Sequence, residues 1–597
     1  MITYCNTIGV NNTSVGYQAL YSNTTSNNIA IGYQSLYNNT IGNVNTAVGL
    51  QSLYSNTTGS NNSAFGYQAL YYNTTGVRNT AIGRASLYNN TNASDNVAVG
   101  YYALFANTTG ALNTAVGTSA LSSNNSGIQN TAVGYKALLN NTIGNNNSAF
   151  GFYSLFSNTT GAENTAVGYG ALYSNTTGYN NTAIGRSALN ASTTARENTA
   201  VGYGSLGNNT SGNYNTAVGT NSLNANTFGK YNAAFGRTSL QNNTTGNNNG
   251  AFGYSALRSN TTGYANNAFG YQALYYNTVG AKNTAMGHRS LLSNTTNSNN
   301  AFGYKSLTAN TIGVSNTAFG TYSLATNTTG SYNIAVGDVA LYDLTTGSGN
   351  TAIGYNTGRG ITTGNYNTIL GANVTGLSTT LANNIIIADG QGNRRINVNS
   401  SGYVGIGTTN AGQLLEVVGG EIKAGRVDST NEGGQVSFGR ASDNATGWYI
   451  DVYGSTSTPQ LRFVDVSNSS VRAIFDGSGN FGIGTTSPST KLEVVGTITC
   501  TTLVETSSIA AKTNVKTLDS QKQKVAKLNA VSFNYKKDNK PSIGLIAEEV
   551  AQVYPELVEF ANGEPLGVNY SKLTAVLINA VNELTAEVAE LKKQLNK

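Results

Sequence analysis

The chain has 597 residues, too many for one ordinary compact domain. Charged residues are 10% and glycines number 70, which points away from average globular composition and toward a fibrous or repeat architecture. The 37 Tyr and 17 Phe exclude a disordered chain, since disordered segments are poor in aromatic residues. Net charge is +6 and is unevenly split: residues 1–371 carry 12 Lys/Arg against 5 Asp/Glu, residues 372–597 carry 20 against 21. No Lys/Arg cluster lies in the first part, so no nucleic-acid partner is expected. Cys5 and Cys500 stand at opposite ends and give neither a disulfide framework nor metal-ligand spacing. No cofactor or metal is expected, and no apolar run reaches membrane-spanning length, so no membrane insertion is expected either.

The first 371 residues repeat. Glycines at Gly16, Gly32, Gly49, Gly66 and onward to Gly337 recur at a period of 17, with rare steps of 16, through 20 copies. A full copy is NTAVGYGALYSNTTGYN, Asn164 to Asn180. The residue before the glycine is large and apolar (Val15, Ile31, Val48, Phe65). Four after it stands Leu in every copy (Leu20, Leu36, Leu53), and seven after it Asn in 18 of 20 (Asn56, Asn73, Asn175). A fixed short period of this kind predicts a β-solenoid over 1–371, with two short strands per coil, around T-A-V-G and around A-L-Y. Stacking is expected to align the Val/Ile/Phe and Leu columns as internal ladders. The Asn column is expected to form an amide ladder at turns that tolerate left-handed backbone. At ~4.8 Å per strand, about twenty coils make a rod of roughly 100 Å.

The strand Asn45-Thr46-Ala47-Val48-Gly49 resembles the head repeats of trimeric bacterial adhesins, whose repeats are usually shorter than 17 residues. On that resemblance the small Ala suits close packing between protomers. Two further columns vary: Tyr17, Tyr33, Arg84, Tyr101, Arg186, Arg237 and His288 one after the glycine, and Tyr54, Tyr71, Phe105, Tyr173 and Arg258 five after it. They read either as surface packing along the solenoid or as a display of aromatic faces for sugar. Ice binding by recurring Thr57 equivalents is disfavoured, because Tyr and Arg interrupt a flat Thr face. Ile2 to Gly9 reads as the second half of a coil, so either this end docks on another fibre or baseplate protein or a segment upstream is missing.

At Gly358 the Leu column fails and a β connector, 372–420, follows. Its motif GYVGIGTTNAGQLLEVVGG returns as GNFGIGTTSPSTKLEVVG in a second connector, 479–506. Both resemble short β connectors near the ends of phage tail fibres. GIGTT lacks the lysine and following helix of a phosphate loop. Between the copies, residues 421–478 alternate as strands and predict a small β domain. It holds the single tryptophan, Trp448, with Tyr449, Tyr453, Arg440 and Arg462 near it in sequence. These five are the candidate receptor-binding residues, with a core tryptophan as the alternative.

Residues 507–597 contrast with the rest: 12 lysines lie between Lys512 and Lys597, against four in residues 1–371. The order of motifs is Ser507-Ser508-Ile509-Ala510-Ala511-Lys512-Thr513-Asn514-Val515, then Leu528 to Tyr535 (LNAVSFNY), Gly544 to Val550 (GLIAEEV), Pro555-Glu556-Leu557-Val558, and Val568 to Leu573 (VNYSKL). This succession resembles the intramolecular chaperone autoproteases of phage tail fibres and tailspikes, the endosialidase type. The resemblance implies an α+β domain that gathers three chains and then cuts itself off. It implies Ser507 as nucleophile, Lys512 as general base and cleavage between Thr506 and Ser507. The only histidine is His288, so a Ser-His-Asp triad cannot be built in this region. A lysine serves as base where desolvation lowers its pKa, and Ile509, Ala510 and Ala511 would supply apolar surroundings. The family's Asp and Arg after the serine are here Ser508 and Ile509, which shifts weight toward a chaperone that folds without cutting.

Leu577, Val581, Leu584, Val588, Leu591 and Leu595 are spaced as a heptad seam in a final coiled-coil helix. Val and Leu at these positions favour two strands by general rules; a homotrimer is what the resemblance implies. The whole is then expected to be mainly β: a tail-fibre subunit made in the host cytoplasm and carried on the virion. Its expected partners are two further copies and a host cell-surface glycan or protein receptor. The alternatives are a bacterial trimeric surface adhesin and a polysaccharide depolymerase. The last needs paired carboxylates, and Asp95, Glu163 and Glu197 do share one column, but that column also holds Asn61, Arg78 and Tyr231 and reads as a variable solvated face.

Overall fold

The computed structural model describes residues 9–419, 422, 432–439, 446–454, 458–466, 470–502, 508–536 and 539–596. The chain divides into two units, Met1–Ile422 and Lys423–Lys597.

The first unit is a β-solenoid. Three-residue strands run from β1 (Thr13–Val15) to β22 (Thr368–Leu370), one per coil. Neighbours pair parallel and in register, as in Thr46↔Ser63, Ala47↔Ala64 and Val48↔Phe65. The parallel ladder continues past residue 371 to β23 (Ile385–Ala388), where Thr368 faces Ile385. The direction then reverses. β24 (Arg394–Val398) runs antiparallel to β23, β25 (Val404–Ile406) antiparallel to β24, and β26 (Leu415–Val417) parallel to β25.

Two expectations about the coil are corrected. The A-L-Y segment is a turn, with Leu in left-handed backbone: φ is 49° at Leu36 and 50° at Leu172. It still bonds to the next coil, Leu36 N–H donating to Ser52 O at 3.0 Å and Asn38 N–H to Tyr54 O at 3.0 Å. Left-handed backbone costs an L-residue ~1–2 kcal/mol. Full burial of the Leu side chain returns ~1.5–3 kcal/mol, which is why a leucine is tolerated there.

The strand also faces the other way. Ala47, Ala64 and Ala81 are fully buried, while Phe65 is 40% and Ile82 41% exposed. Successive strand residues point to opposite sides, so placing Ala inside places Thr and Val/Ile/Phe outside. The core is a ladder of Ala and Leu, and its narrow lumen suits the smallest side chain opposite Leu. Ala therefore packs inside one chain and is not a contact between protomers.

The amide ladder forms. Asn39 Nδ2 donates to Asn23 Oδ1 at 2.6 Å, Asn56 to Asn39 at 2.7 Å and Asn73 to Asn56 at 2.7 Å. A second buried column accompanies it: Asn62 N–H donates to Asn45 Oδ1 at 3.0 Å, and Asn62 Nδ2 to Gly76 O at 2.9 Å. The repeat glycine is obligatory. Gly134 has φ +135°, and a Cβ there would lie 2.5 Å from Gly151 O of the next coil.

The second unit contains a six-stranded sheet: β27 (Glu432–Gly439), β28 (Thr446–Tyr453), β29 (Gln460–Asp465), β30 (Ser470–Phe475), β31 (Phe481–Ile483) and β32 (Leu492–Val494). Strands β27 to β31 are antiparallel and β31–β32 is parallel. The repeated GIGTT motif repeats in structure. Gly405 faces Glu416 as Gly482 faces Glu493, each in a short parallel pair. The hairpin before each is closed by an Asx turn: Asn399 Oδ1 accepts from Ser401 N–H at 3.0 Å, and Asp476 Oδ1 from Ser478 N–H at 2.9 Å.

The C-terminal part is α+β. After α1 (Lys522–Val525) come the hairpin β33 (Val531–Asn534) and β34 (Pro541–Gly544), α2 (Ala547–Val553), the hairpin β35 (Val558–Ala561) and β36 (Glu564–Val568), and α3 (Tyr570–Leu595). Asn569 caps α3, its Oδ1 accepting from Lys572 N–H at 3.0 Å. Val550, Tyr554, Leu557, Val558, Leu573 and Val576 form the core.

Candidate functional site

The proposed cleavage segment begins outside the described residues: Thr506 and Ser507 fall there, as does Arg440. The described chain starts again at Ser508. Its carbonyl accepts from Ala511 N–H at 3.1 Å and its Oγ from Ala510 N–H at 3.2 Å, closing one helical turn, Ile509–Ala511. Of the two adjacent serines, Ser508 is therefore engaged in a local turn. Lys512 follows that turn directly and is exposed.

What holds the following segment is Glu583 on α3. Its carboxylate accepts from Gln521 N–H at 2.7 Å, Ser520 Oγ–H at 2.6 Å and Lys522 N–H at 3.1 Å. Asn579 Nδ2 bridges Glu583 Oε1 at 2.8 Å and Asp519 O at 3.2 Å. The Ser520 hydroxyl and the Gln521 amide hold the Glu583 carboxyl below its ordinary range. Buried Tyr554 adds a third tie, its OH donating to Gln521 Oε1 at 2.9 Å. The start of α1 is thus clamped by the C-terminal helix, about sixty residues on. Sequence reasoning missed Glu583; its signal was an Asn579–Glu583 pair at i, i+4 off the heptad seam.

The four described candidate receptor residues are not one cluster. Trp448 and Tyr449 are adjacent in β28 and point to opposite faces of the sheet. Trp448 is 46% exposed, on a face with Phe438, Val452 and Leu461. Tyr453 and Arg462 lie on the other face, with Asp451 fully covered beneath them. Arg462 grips Asp451 through two bonds, 2.5 Å and 3.0 Å, and its guanidinium carbon sits 3.9 Å from the Tyr453 ring centre. This is a buried, two-pronged ion pair stacked on an aromatic ring.

Along the solenoid the aromatic columns stack on themselves. Tyr37, Tyr54 and Tyr71 lie 5.2 and 5.1 Å apart, nearly parallel. Their faces are covered by neighbouring rings, so sugar meets mainly edges there. Of the column carboxylates, Asp95 is held by Arg78 at 2.6 Å. Among the described residues, no group of His, Cys, Asp and Glu is arranged to hold a metal ion. No described helix is long and apolar enough to cross a membrane.

Comparison with known families matches residues 507–559 to the family described as "Chaperone of endosialidase". The match opens at Ser507, runs through α1, both motifs around β33 and β34, and α2, and ends before α3, which carries Glu583. A comparison with curated proteins finds no match. The chain carries, at its C-terminal end, a segment similar to the chaperone of endosialidase.

Proposed function

We propose that this chain is a subunit of a homotrimeric phage tail fibre. It is made in the host cytoplasm, carried on the virion, joined at its N-terminal end to another fibre or baseplate protein, and used to bind a cell-surface receptor. Its C-terminal domain brings three chains into register and then removes itself. Lys512 takes the proton of the Ser507 hydroxyl, and the oxygen attacks the Thr506 carbonyl carbon. The amide nitrogen leaves with a proton, and water hydrolyses the resulting ester. The observation that carries this reading is that the family match begins at Ser507, the residue placed at the new N-terminus. A long parallel stack of similar coils explains the need: its registers are easily confused, and a separately folding end can set them.

Intact mass of the denatured recombinant protein tests it, wild type beside Ser507→Ala. Wild type is expected to give residues 1–506 and a 91-residue fragment, with the variant whole. If both stay whole, self-cleavage is refuted and the domain is a permanent cap.

A further inference from the structure

The cations of the solenoid carry a second, longer period. Arg84, Lys136, Arg186, Arg237 and Arg289 stand one or two residues after Gly83, Gly134, Gly185, Gly236 and Gly287. Those glycines are 51 residues apart, one every third coil. Since the coils stack in register, the five cations fall on one turn of the solenoid at a spacing of roughly 14 Å. Lys305 extends the row one coil further, and the next charged residue at these positions is Asp338.

Each cation is set among rings. The Arg84 guanidinium lies between Tyr67 and Tyr101, 5.5 and 5.7 Å from the ring centres. Arg186 lies between Tyr169 and Tyr203 at 5.5 and 5.9 Å. Lys136 sits by Tyr135 and Tyr153 at 5.1 and 5.8 Å, Arg237 by Tyr254 at 5.9 Å, and Arg289 by Tyr271 at 5.9 Å. Arg84, Arg186 and Arg237 are exposed, and Lys136, Arg289 and Lys305 half-buried. Among the described residues none of the six is ion-paired, whereas Arg78 and Arg359 elsewhere on the solenoid are paired with Asp95 and Asp343. Rings on either side of the Arg84 and Arg186 guanidinium groups hold them in place and leave their in-plane N–H edges for an anion, whereas Arg289 already donates its Nε–H to Gln272 Oε1 at 2.9 Å.

We propose that this row is a binding track for a linear acidic polysaccharide with one anionic group per oligosaccharide repeat, lying along the stacked coils. The inference rests on the receptor-binding reading above and names its ligand class and site. Duplex DNA carries a charge every ~1.7 Å and would be matched poorly by one cation per ~14 Å. Evenly spaced weak contacts on one rigid support add through effective concentration, which suits a repeating polymer.

The test is binding of the full-length protein to hyaluronan, polygalacturonate, dextran and duplex DNA, by biolayer interferometry. Hyaluronan, with one carboxylate per disaccharide, is expected to bind, polygalacturonate, charged on every sugar, to bind less tightly, and neutral dextran not to bind. Arg84→Gln, Arg186→Gln and Arg237→Gln combined are expected to weaken that binding by about tenfold or more, with unchanged circular dichroism. Arg196→Gln with Lys230→Gln, off the row, is expected to bind as wild type. The proposal is overturned if neither acidic polymer binds, if dextran binds equally, if DNA binds tighter than both, or if the triple variant matches wild type. Adsorption to a panel of bacterial cells separates the two claims. Wild type and triple variant adsorbing alike would remove the track and leave the receptor-binding reading standing. A wild type that binds the polymers but adsorbs to no cell would remove the receptor role instead.

Discussion

Asn175 marks a break in the buried amide ladder. Its Nδ2 donates to Asn158 Oδ1 at 2.7 Å and to Gly178 O at 3.1 Å, but its own Oδ1 has no partner. The next coil offers Ser192, whose hydroxyl is also unpartnered. The same loss occurs at Asn327, followed by Leu344, and at Asn277, where the next coil is one residue shorter. A buried polar atom without a partner costs about 1–3 kcal/mol. Ser192→Asn is expected to rejoin the ladder, accepting from Asn209 Nδ2 and donating to Asn175, and so to stabilise the adjoining coils by about 1–2 kcal/mol. Asn141→Ser should do the opposite in an intact stretch. Because a repeat array opens locally, the readout is amide hydrogen exchange in the flanking coils and not one melting midpoint. Unchanged exchange in both variants would mean that the ladder contributes register and no stability.

At the scale of the element, the repeat length, the Leu ladder and the Asn ladder were legible, because each is a fixed residue type at a fixed period. The phase of the strand was not. Thr46-Ala47-Val48 has an apolar residue on each side of the pleat, and hydrophobicity alone sends Val inward. What decides is the space opposite Leu, a tertiary quantity that no single coil reveals. The second strand was misjudged for a related reason: nothing in A-L-Y signals left-handed backbone, since burial and not local preference holds Leu there. In the C-terminal domain the motif order was legible and the clamp was not, because Glu583 meets Gln521 only once the domain has folded. That clamp titrates. The Glu583 carboxyl is held below its ordinary value, so its contribution is present above the unfolded pKa of about 4.3 and is lost as pH falls through the lower folded value. Proteolysis between Lys516 and Lys527 is expected to accelerate below about pH 4 in the Ser507→Ala protein, and already at pH 7 when Glu583→Ala is added. Equal protection at pH 7 with and without Glu583 would show that the Tyr554–Gln521 tie suffices.

On the whole molecule, three separate surfaces leave apolar side chains in the open. The outward solenoid column includes Val15, Ile31, Phe65, Phe150 and Phe269, each 38–53% exposed. One face of the second sheet shows Val436, Phe438, Trp448 and Val452 at 45–50%. On α3, Leu573, Val576 and Ala580 are buried in their own domain, while the seam Leu577, Val581, Leu584, Val588 and Leu591 is 41–58% exposed. Contiguous open patches of this extent mark interaction surfaces. Under the proposed trimer, copies of this chain cover the solenoid column. It recurs in every coil from β1 to β22. A partner that tracks it must share its period, and a copy of this chain does. The helix seam and the column act at different times in this reading. The seam gathers chains before cleavage, and the column must hold them once residues 507–597 have left. Light scattering on the mature 1–506 product is therefore expected to give three chain masses. Phe252→Asp with Phe269→Asp, in the middle of a stacked run whose ring centres are 4.6 Å apart, should lower it to one. Leu584→Asp with Val588→Asp should instead act early, leaving the Ser507→Ala protein as single or aggregated chains. A mature wild-type product of one chain mass would break this division of labour, because the column would then be an open surface with no copy to cover it.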